Sequence, residues 1–600
     1  MATADITKPV PPASEVGHGP VYRFMFHHET DEYPSEARRI GDLAIAVGAT
    51  IVLYYTYFTQ TGVTPNILRT YHMTFAFYVG IVVVSNLIGA FASLPASLTD
   101  RLGRSNLVIY GLLIVGLLVA VGVPNAGSEW SFAVIISVIG LVEGAILVAT
   151  PALVRDFSPQ LGRASAMGFW TVGPVAGSLV VSVVANHTLD HFGDWQSQFI
   201  ISGITALVMF VVALLFLRDL SPRLRDQLMI SISDRTLVEA RSRGISAEDL
   251  RAAVERPWRQ ILKWDLVGSA FGIAVFLLFY YVAASFFTIY YAVTFKNPDG
   301  TPFTVTQANG LNTWFWAADI VALIVVGLIS DRLRVRKPFM LFGALGAMAM
   351  LIVYLGLAGH PHTGYYTLAL ISAALAIFVA IAYAPWMAGY TESIEAKNPA
   401  LVGTGLALWG WTLRLVVGVS FIFLPVVINS VNPVVDNTPY ATAKIQQFLA
   451  QHPESVAFAQ EHAALLGKIE ANQAVVNAVS ADPSPANIAA AVKALGPADF
   501  AQVVRYRTEL QTLVAPYTEQ LNYLAANKGH LSALQDGLAR SPDQWQRWFW
   551  IDFAGMAIFV PLIFLTKGRW SPRRAKQDAE AHERAVAAEV ARLPHGASQP

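Results

Sequence analysis

Cysteine is absent from all 600 residues, which excludes disulfides, thiolate metal sites and a cysteine nucleophile together. Charge is scarce. Only 14% of residues are Asp, Glu, Lys or Arg, 41 of each sign, so the formal net charge is zero. No excess of one sign points to a partner, and no nucleic acid is expected among the partners. The first forty residues lack a hydrophobic stretch, so no cleavable signal peptide is expected and the first apolar run must itself direct insertion. Also lacking is any cluster of nucleophile, base and orienting acid on an aqueous face, or any metal-ligand spacing. Neither enzyme, metal nor cofactor is expected.

What the chain has in quantity is apolar sequence. Hydrophobic residues make up 54% of it, and a mean hydropathy of +0.47 is too high for a water-soluble domain of this length. A bilayer core of about 30 Å needs runs of about 20 residues to cross it. Twelve such runs are present, at about 41–59, 72–98, 106–123, 131–154, 164–186, 197–217, 265–293, 307–330, 338–358, 365–390, 401–428 and 546–566. Each must be helical, because lipid offers no partner to a free backbone N–H.

Basic residues orient the spans. One set of short loops carries Arg38 and Arg39, Arg101 and Arg104, Arg155 and Arg163, Arg332 to Lys337, and Lys567 to Arg574. Apart from Arg69 and Lys296, the opposite short loops are nearly free of them. The basic side is expected to be cytoplasmic, with both termini there: a tail at 1–40 and another, charged and Ala-rich, at 567–600. Trp130, Trp264, Trp548 and Trp550, near span ends, are expected to anchor at the interface.

The segment 218–264 is an Arg-rich cytoplasmic linker, in which Ser246-Ala247-Glu248-Asp249 has the form of a helix capping box. Between the last two spans lies a long extracytoplasmic segment, 430–545. There Asp482-Pro483-Ser484-Pro485 and Gly496-Pro497 punctuate stretches with apolar residues at three and four, such as Phe500, Val503, Val504, Leu510, Leu513 and Val514. It is expected to be a small all-helical insert, acting as a structural cap or as a surface for a protein partner.

Two loop segments repeat. Ala96-Ser97-Leu98-Thr99-Asp100-Arg101-Leu102-Gly103-Arg104 and Gly327-Leu328-Ile329-Ser330-Asp331-Arg332-Leu333-Arg334-Val335-Arg336-Lys337 each follow a span, half a chain apart. This resembles the loop motif of the major facilitator superfamily, G-x-L-a-D-R-x-G-R, between the second and third helices of each six-helix half. The resemblance covers every span but not the insert. It implies an all-α polytopic membrane protein with twelve transmembrane helices in two six-helix bundles, plus the extra helical extracytoplasmic insert. The implied layout is a bundle at 41–217, helices seven to eleven at 265–429, and helix twelve at 546–566. It also implies that Asp100, Arg101, Arg104, Asp331 and Arg332 gate the cytoplasmic face.

Charges in mid-bilayer are costly and mark function. Glu143, Asp319 and Arg414 fall near the midpoints of spans four, eight and eleven. At helical spacing, Glu143 is flanked by Gly140 and Thr150, Asp319 by Asn312 and Trp316, and Arg414 by Trp411 and Gly418. Span one adds Thr50, Tyr54 and Tyr57, and span seven adds Tyr281, Ser285 and Thr288. Such faces suit a central aqueous cavity. Glu143 and Asp319 are candidate proton-coupling residues. Arg414, Asp319, Trp316, Trp411, Tyr54, Tyr57 and Tyr281 are candidates for solute binding. Arg414 and Asp319 either neutralise one another or share the solute.

The stretch Gly140-Leu141-Val142-Glu143-Gly144, with Pro151, Ser158-Pro159 and Arg163-Ala164-Ser165-Ala166-Met167-Gly168, is similar to helices four and five of the anion:cation symporter branch. There the helix-four glutamate is a protonation site coupled to an organic anion. Where that branch has an Asp-Arg pair in helix one, this chain has Tyr54-Tyr55-Thr56-Tyr57. Gly173-Pro174-x-x-Gly177 resembles part of the glycine-proline motif of proton-driven antiporters. Gly168, Gly173 and Gly177 recur in spacing as Gly405, Gly410 and Arg414, so a guanidinium stands where the other half has a small residue. The expectation is a secondary transporter of a small organic solute, an organic anion, by alternating access with proton symport across the cell membrane. The alternatives are proton-driven efflux of drugs, metabolites or amphiphiles, and a receptor or assembly role through the insert.

Overall fold

The computed structural model describes residues 25–26, 28–30, 32–92, 103–157, 172–221, 224, 257–398 and 401–591. Asp100 and Arg101, the start of span five and most of the linker, including its capping-box segment, lie outside the described residues. The spans are Glu36–Gly62, Phe75–Ala92, Arg104–Gly122, Glu129–Phe157, Gly173–Phe192, Gln196–Phe216, Trp264–Thr294, Val305–Leu333, Lys337–Ala358, Tyr365–Glu395, Val402–Val427 and Lys528–Leu562. Together they form the twelve-helix architecture, because each apolar run buries its backbone polar groups in its own helical ladder.

Spans one to six pack among themselves, and so do seven to twelve. The halves meet along spans two and eleven, along five and eight, and between span one and the outer part of span seven. Some crossings are close because they lack a side chain. A Cβ on Gly140 would stand 2.8 Å from the Ser85 carbonyl oxygen, so spans two and four approach backbone to backbone. Pro151 and Pro385 lie inside spans four and ten at corresponding places in the two halves. Span seven is interrupted at Leu277 (φ −83°, ψ 3°), where one helix ends and the next begins.

Two ends of the molecule can be told apart. At the motif end, strand Glu29–Thr30 pairs in parallel with Asp219–Leu220 after span six. The tail helix Pro572–Ala591 lies at the same end, Glu583 reaching Arg334 at 4.0 Å. At the opposite end stands the insert.

The insert is all helical, as expected, but its boundary moves. The helix of span twelve starts at Lys528, well before 546, and its outer part packs on the short helix Val431–Asn437. Val431, Val434, Leu534 and Leu538 belong to the main core. Residues 430–440 and 528–545 are therefore part of the bundle, and the insert proper is 443–526. Its first leg is four nine-residue helices broken at His452, His462, Asn472 and Asp482. The return leg breaks at Gly496, Tyr506, Tyr517 and Asn527. Rings at the breaks join the legs: His452 meets Tyr517 at 4.1 Å and His462 meets Tyr506 at 4.4 Å, both pairs tilted. At the root, Tyr440 and His530 lie parallel at 3.9 Å.

Trp130, Trp264 and Trp550 are exposed, at 66%, 72% and 54%. Trp548 departs from the expected anchoring. It is 1% exposed and buried in the second half, because the face of span twelve that carries it turns inward onto spans seven and nine.

Candidate functional site

Glu143 and Arg414 come from opposite halves and lie within electrostatic reach of one another. Glu143 is buried in span four, and Arg414 is half-buried in span eleven. Tyr54 and Tyr57 of span one lie in the field of both, and Tyr281 of span seven in that of Arg414. No ion pair within 4.0 Å joins Glu143 to Arg414 among the described residues. Tyr57 is fixed by a 3.0 Å hydrogen bond between its hydroxyl and that of Ser85, which ties span one to span two. Trp411, one turn before Arg414, meets Phe91 of span two edge-on at 5.8 Å.

Asp319 occupies a second, deeper place within the second half. It is 1% exposed, and its Oδ2 has no hydrogen-bond partner. The groups in its field are Tyr280 and Tyr383. Trp316 covers this region, with Tyr280 at 5.2 Å and Phe315 at 4.8 Å. No ion pair joins Asp319 to Arg414, so in this conformation the two do not neutralise one another. Arg414 lies in the field of Glu143, Tyr54, Tyr57 and Tyr281, and Asp319 in that of Tyr280 and Tyr383.

At the motif end each half ties its own helix ends. Arg336, rather than Arg332, holds Asp331 at 2.7 Å and Glu392 of span ten at 2.8 Å. In the first half Arg104 pairs with Asp156 at the end of span four, and its backbone N–H donates to Asp219 at 2.8 Å. Asp156 and Glu392 were not singled out from sequence, and Arg336 only as part of the basic cluster Arg332 to Lys337. The signal was there, since both acids close a span whose Pro151 or Pro385 marks it as an equivalent helix.

At the insert end the halves are joined directly. Asn432 accepts from the Phe75 N–H at 2.8 Å and donates to the Met73 carbonyl at 3.0 Å. Asn309 donates to the Gly62 carbonyl at 2.7 Å, and Thr306 to Asp190 at 2.6 Å. Burial at this rim pushes the Asp436 carboxyl up from its ordinary value, against the pull of His72 in the other half and of Asn432. Gln544 accepts from the backbone of Asn429 and Ser430, pinning the end of span eleven to span twelve. The insert end is thus closed by polar contacts. Contacts of this kind between two halves suit a carrier that opens to one side at a time.

Comparison with known proteins agrees. The profile of the Major Facilitator Superfamily matches residues 46–419. Multidrug resistance protein MdtG of Salmonella choleraesuis is 29% identical over 168 residues, which cover 27% of this chain and only 39% of that protein. A phosphoglycerate transporter protein of Salmonella typhimurium is 22% identical over 335 residues, 54% of this chain and 68% of the other. In fold, the chain is similar to a bacterial homolog of the human lysosomal transporter Spinster in an inward-facing and occupied conformation. That match has a TM-score of 0.52 at 14% identity, and covers 90% of this chain and 100% of that one. The D-xylose-proton symporter gives 0.50 at 15% identity, over 66% and 91%. With the profile spanning more than half its length on a twelve-helix bundle, the chain belongs to the major facilitator superfamily of membrane transporters.

Proposed function

We propose that the protein is a proton-coupled carrier of a small organic anion, working by symport across the cell membrane with its motif end in the cytoplasm. The observation that carries this reading is Glu143 opposite Arg414, one from each half, sharing a field without closing an ion pair. A guanidinium is always charged and presents a fork that fits a carboxylate or phosphate. An anion entering between the halves competes with Glu143 for it. Once the solute satisfies Arg414, an ionised Glu143 is left buried without a counter-charge, and taking up a proton removes that cost. Anion and proton then cross together. Tyr54, Tyr57, Tyr281 and Trp411 supply hydroxyl donors and ring faces around the solute. The relative named as a phosphoglycerate transporter supports an anionic cargo. Basic loops at the motif end support the orientation.

Proton-driven efflux is the second reading, favoured by the relative named for multidrug resistance. The test uses purified protein in liposomes under an imposed pH gradient, with internal pH followed as organic anions are added. Symport moves protons in the direction of the solute, and antiport moves them against it. Glu143→Gln should abolish gradient-driven accumulation while exchange of loaded solute persists. A Gln variant that concentrates solute as well as the parent does removes Glu143 from the coupling role.

A further inference from the structure

At the motif end the two halves hold their cations differently. In the first half Arg38, Arg39, Arg104 and Arg218 all have partners. Arg38 meets Asp42 at 3.3 Å, Arg104 pairs with Asp156, Arg218 donates to His28 Nδ1 at 2.9 Å, and Arg39 lies over the Tyr33 ring at 5.1 Å. In the second half Arg336, Lys397 and Arg569 are likewise paired, with Glu392, Asp265 and Asp578. Arg259, Lys263, Lys567, Arg573 and Arg574, by contrast, are exposed, and none has an ion pair or side-chain hydrogen bond among the described residues. The acids nearest to them in the chain, Asp265 and Asp578, are already taken.

These cations gather where spans seven and twelve meet. A Cβ on Gly268 would stand 2.7 Å from Leu565, in the turn that ends span twelve, and 3.5 Å from the Trp264 ring. The start of one span therefore touches the end of the other. Gly268 lies one turn inside Trp264, about 6 Å at 1.5 Å per residue, so Lys263 and Lys567 emerge at a similar depth. Both are fixed by their neighbours: the Lys567 backbone N–H donates to Ser393 at 2.8 Å, and Lys397 holds Asp265 at 2.8 Å. The short helix Pro257–Ile261 packs on span eleven and buries Ile261, leaving Trp258 and Leu262 exposed beside Arg259 and Lys263. Phe564 and Trp570, also exposed, meet at 5.7 Å just past span twelve.

Tryptophans and basic residues at a span end are what interfacial anchoring asks for. That rule applies to both halves alike. It does not explain why one half neutralises its cations while the other leaves five of them beside an apolar surface. Like charges collected in one corner repel one another until an anion joins them. Rings and a leucine next to those charges suit a partner that brings acyl chains as well as negative charge.

We propose that the corner between the motif-end termini of spans seven and twelve is a docking site for an anionic phospholipid. Arg259, Lys263 and Lys567 hold its headgroup phosphate, and Trp264 and Phe564 meet its chains. The tail helix, which begins at Pro572, adds Arg573 and Arg574 at the rim. A lipid seated here steadies the start of span seven. That span breaks at Leu277 and carries Tyr281 to the central site, so the occupant biases the balance of conformations. The proposal needs only that the chain spans a bilayer, and stands apart from the proton coupling and solute charge proposed above.

The test uses the full-length protein in nanodiscs of phosphatidylcholine mixed with phosphatidylglycerol, with bromine on the acyl chains of one lipid at a time. Brominated phosphatidylglycerol should quench tryptophan fluorescence more than brominated phosphatidylcholine does, through Trp258, Trp264 and Trp570. The triple variant Arg259→Gln, Lys263→Gln, Lys567→Gln should lower the relative association of phosphatidylglycerol by about 10-fold or more, since each basic residue near an anionic surface contributes several-fold. Lys263→Arg with Lys567→Arg should keep the preference, and so should Arg505→Gln with Arg507→Gln, which removes charge from the insert instead. Equal quenching by the two lipids in the parent, or an unchanged preference in the triple variant, overturns the proposal. Two measurements on the parent need no variant. High salt should erase the preference, because screening shortens the reach of exposed charges, and a preference that survives it counts against the site. Inorganic phosphate at constant ionic strength should leave the preference in place; if it abolishes it, the patch takes a free anion and the lipid assignment fails. Phosphatidylglycerol should also raise the melting temperature of the parent but not of the triple variant. An equal rise in both would make the effect one of the bulk surface and overturn the docking site.

Discussion

At the residue scale, Arg414 is the side chain that the proposed function asks most of. A guanidinium at mid-bilayer repels a cation and offers two parallel donors to an anion. Hydrogen bonds to a charged group contribute about 1.5–3 kcal/mol each. Arg414→Ala should therefore weaken binding of an anionic solute by about 10-fold or more, with Arg414→Lys keeping part of the affinity because it keeps charge but not the fork. Equilibrium binding to the purified variants reads this directly. The combined change Arg414→Ala with Asp319→Ala should not rescue it, since Asp319 faces Tyr280 and Tyr383 rather than Arg414. Restored binding or expression in the double variant would instead mean that the two charges exist to balance one another. Glu143, Asp319 and Arg414 were each legible in the sequence, because a charge inside an apolar run stands out without any knowledge of the fold. Which of them come within reach of one another was not legible.

At the scale of elements, apolar length announces a helix, but helix ends and partners depend on packing. Span twelve shows the difference. Hydropathy locates its membrane part, while residues 528–545 read as polar insert until Val434 and Gly537 are seen in contact across the root. The breaks at His452, His462, Asn472 and Asp482 come every ten residues, a regularity that only the structure brought out. The pairing of the insert's legs through Tyr506 and Tyr517 needs the hairpin. The root also carries the joint between halves. Asn432→Ala removes two hydrogen bonds across the insert end, about 1–3 kcal/mol together, and so should shift the balance toward the insert-open state by about 5–150-fold. Labelling of a single cysteine introduced into the central cavity, from the insert side of sealed liposomes, should accelerate accordingly. An unchanged labelling rate would leave Asn432 as a packing residue.

At the scale of the whole molecule, the insert and the carrier are expected to be separable parts. The pins that hold the outer loops, Asn432 and Gln544, belong to the bundle, so a deletion must spare them. Replacing 443–526 by a short Gly/Ser link should leave a folded protein that still transports, because Tyr440 and His530 already bring the two ends together at the root. Size-exclusion behaviour and liposome transport check this. Loss of folding would make the insert a structural part of the bundle, and folding without transport would assign it to solute capture.

The sequence by itself determined the number of crossings, the two-fold internal repeat and the presence of costly charges at mid-span. Lipid imposes one rule on every apolar run, and that rule acts locally. Only the tertiary structure decided that Arg414 belongs with Glu143, that Arg336 rather than Arg332 holds Asp331 and that Trp548 is buried. These are facts about which helix faces meet. Small residues such as Gly140 and Gly555 set how closely two spans approach, and the rotation of each helix then settles what its charges touch.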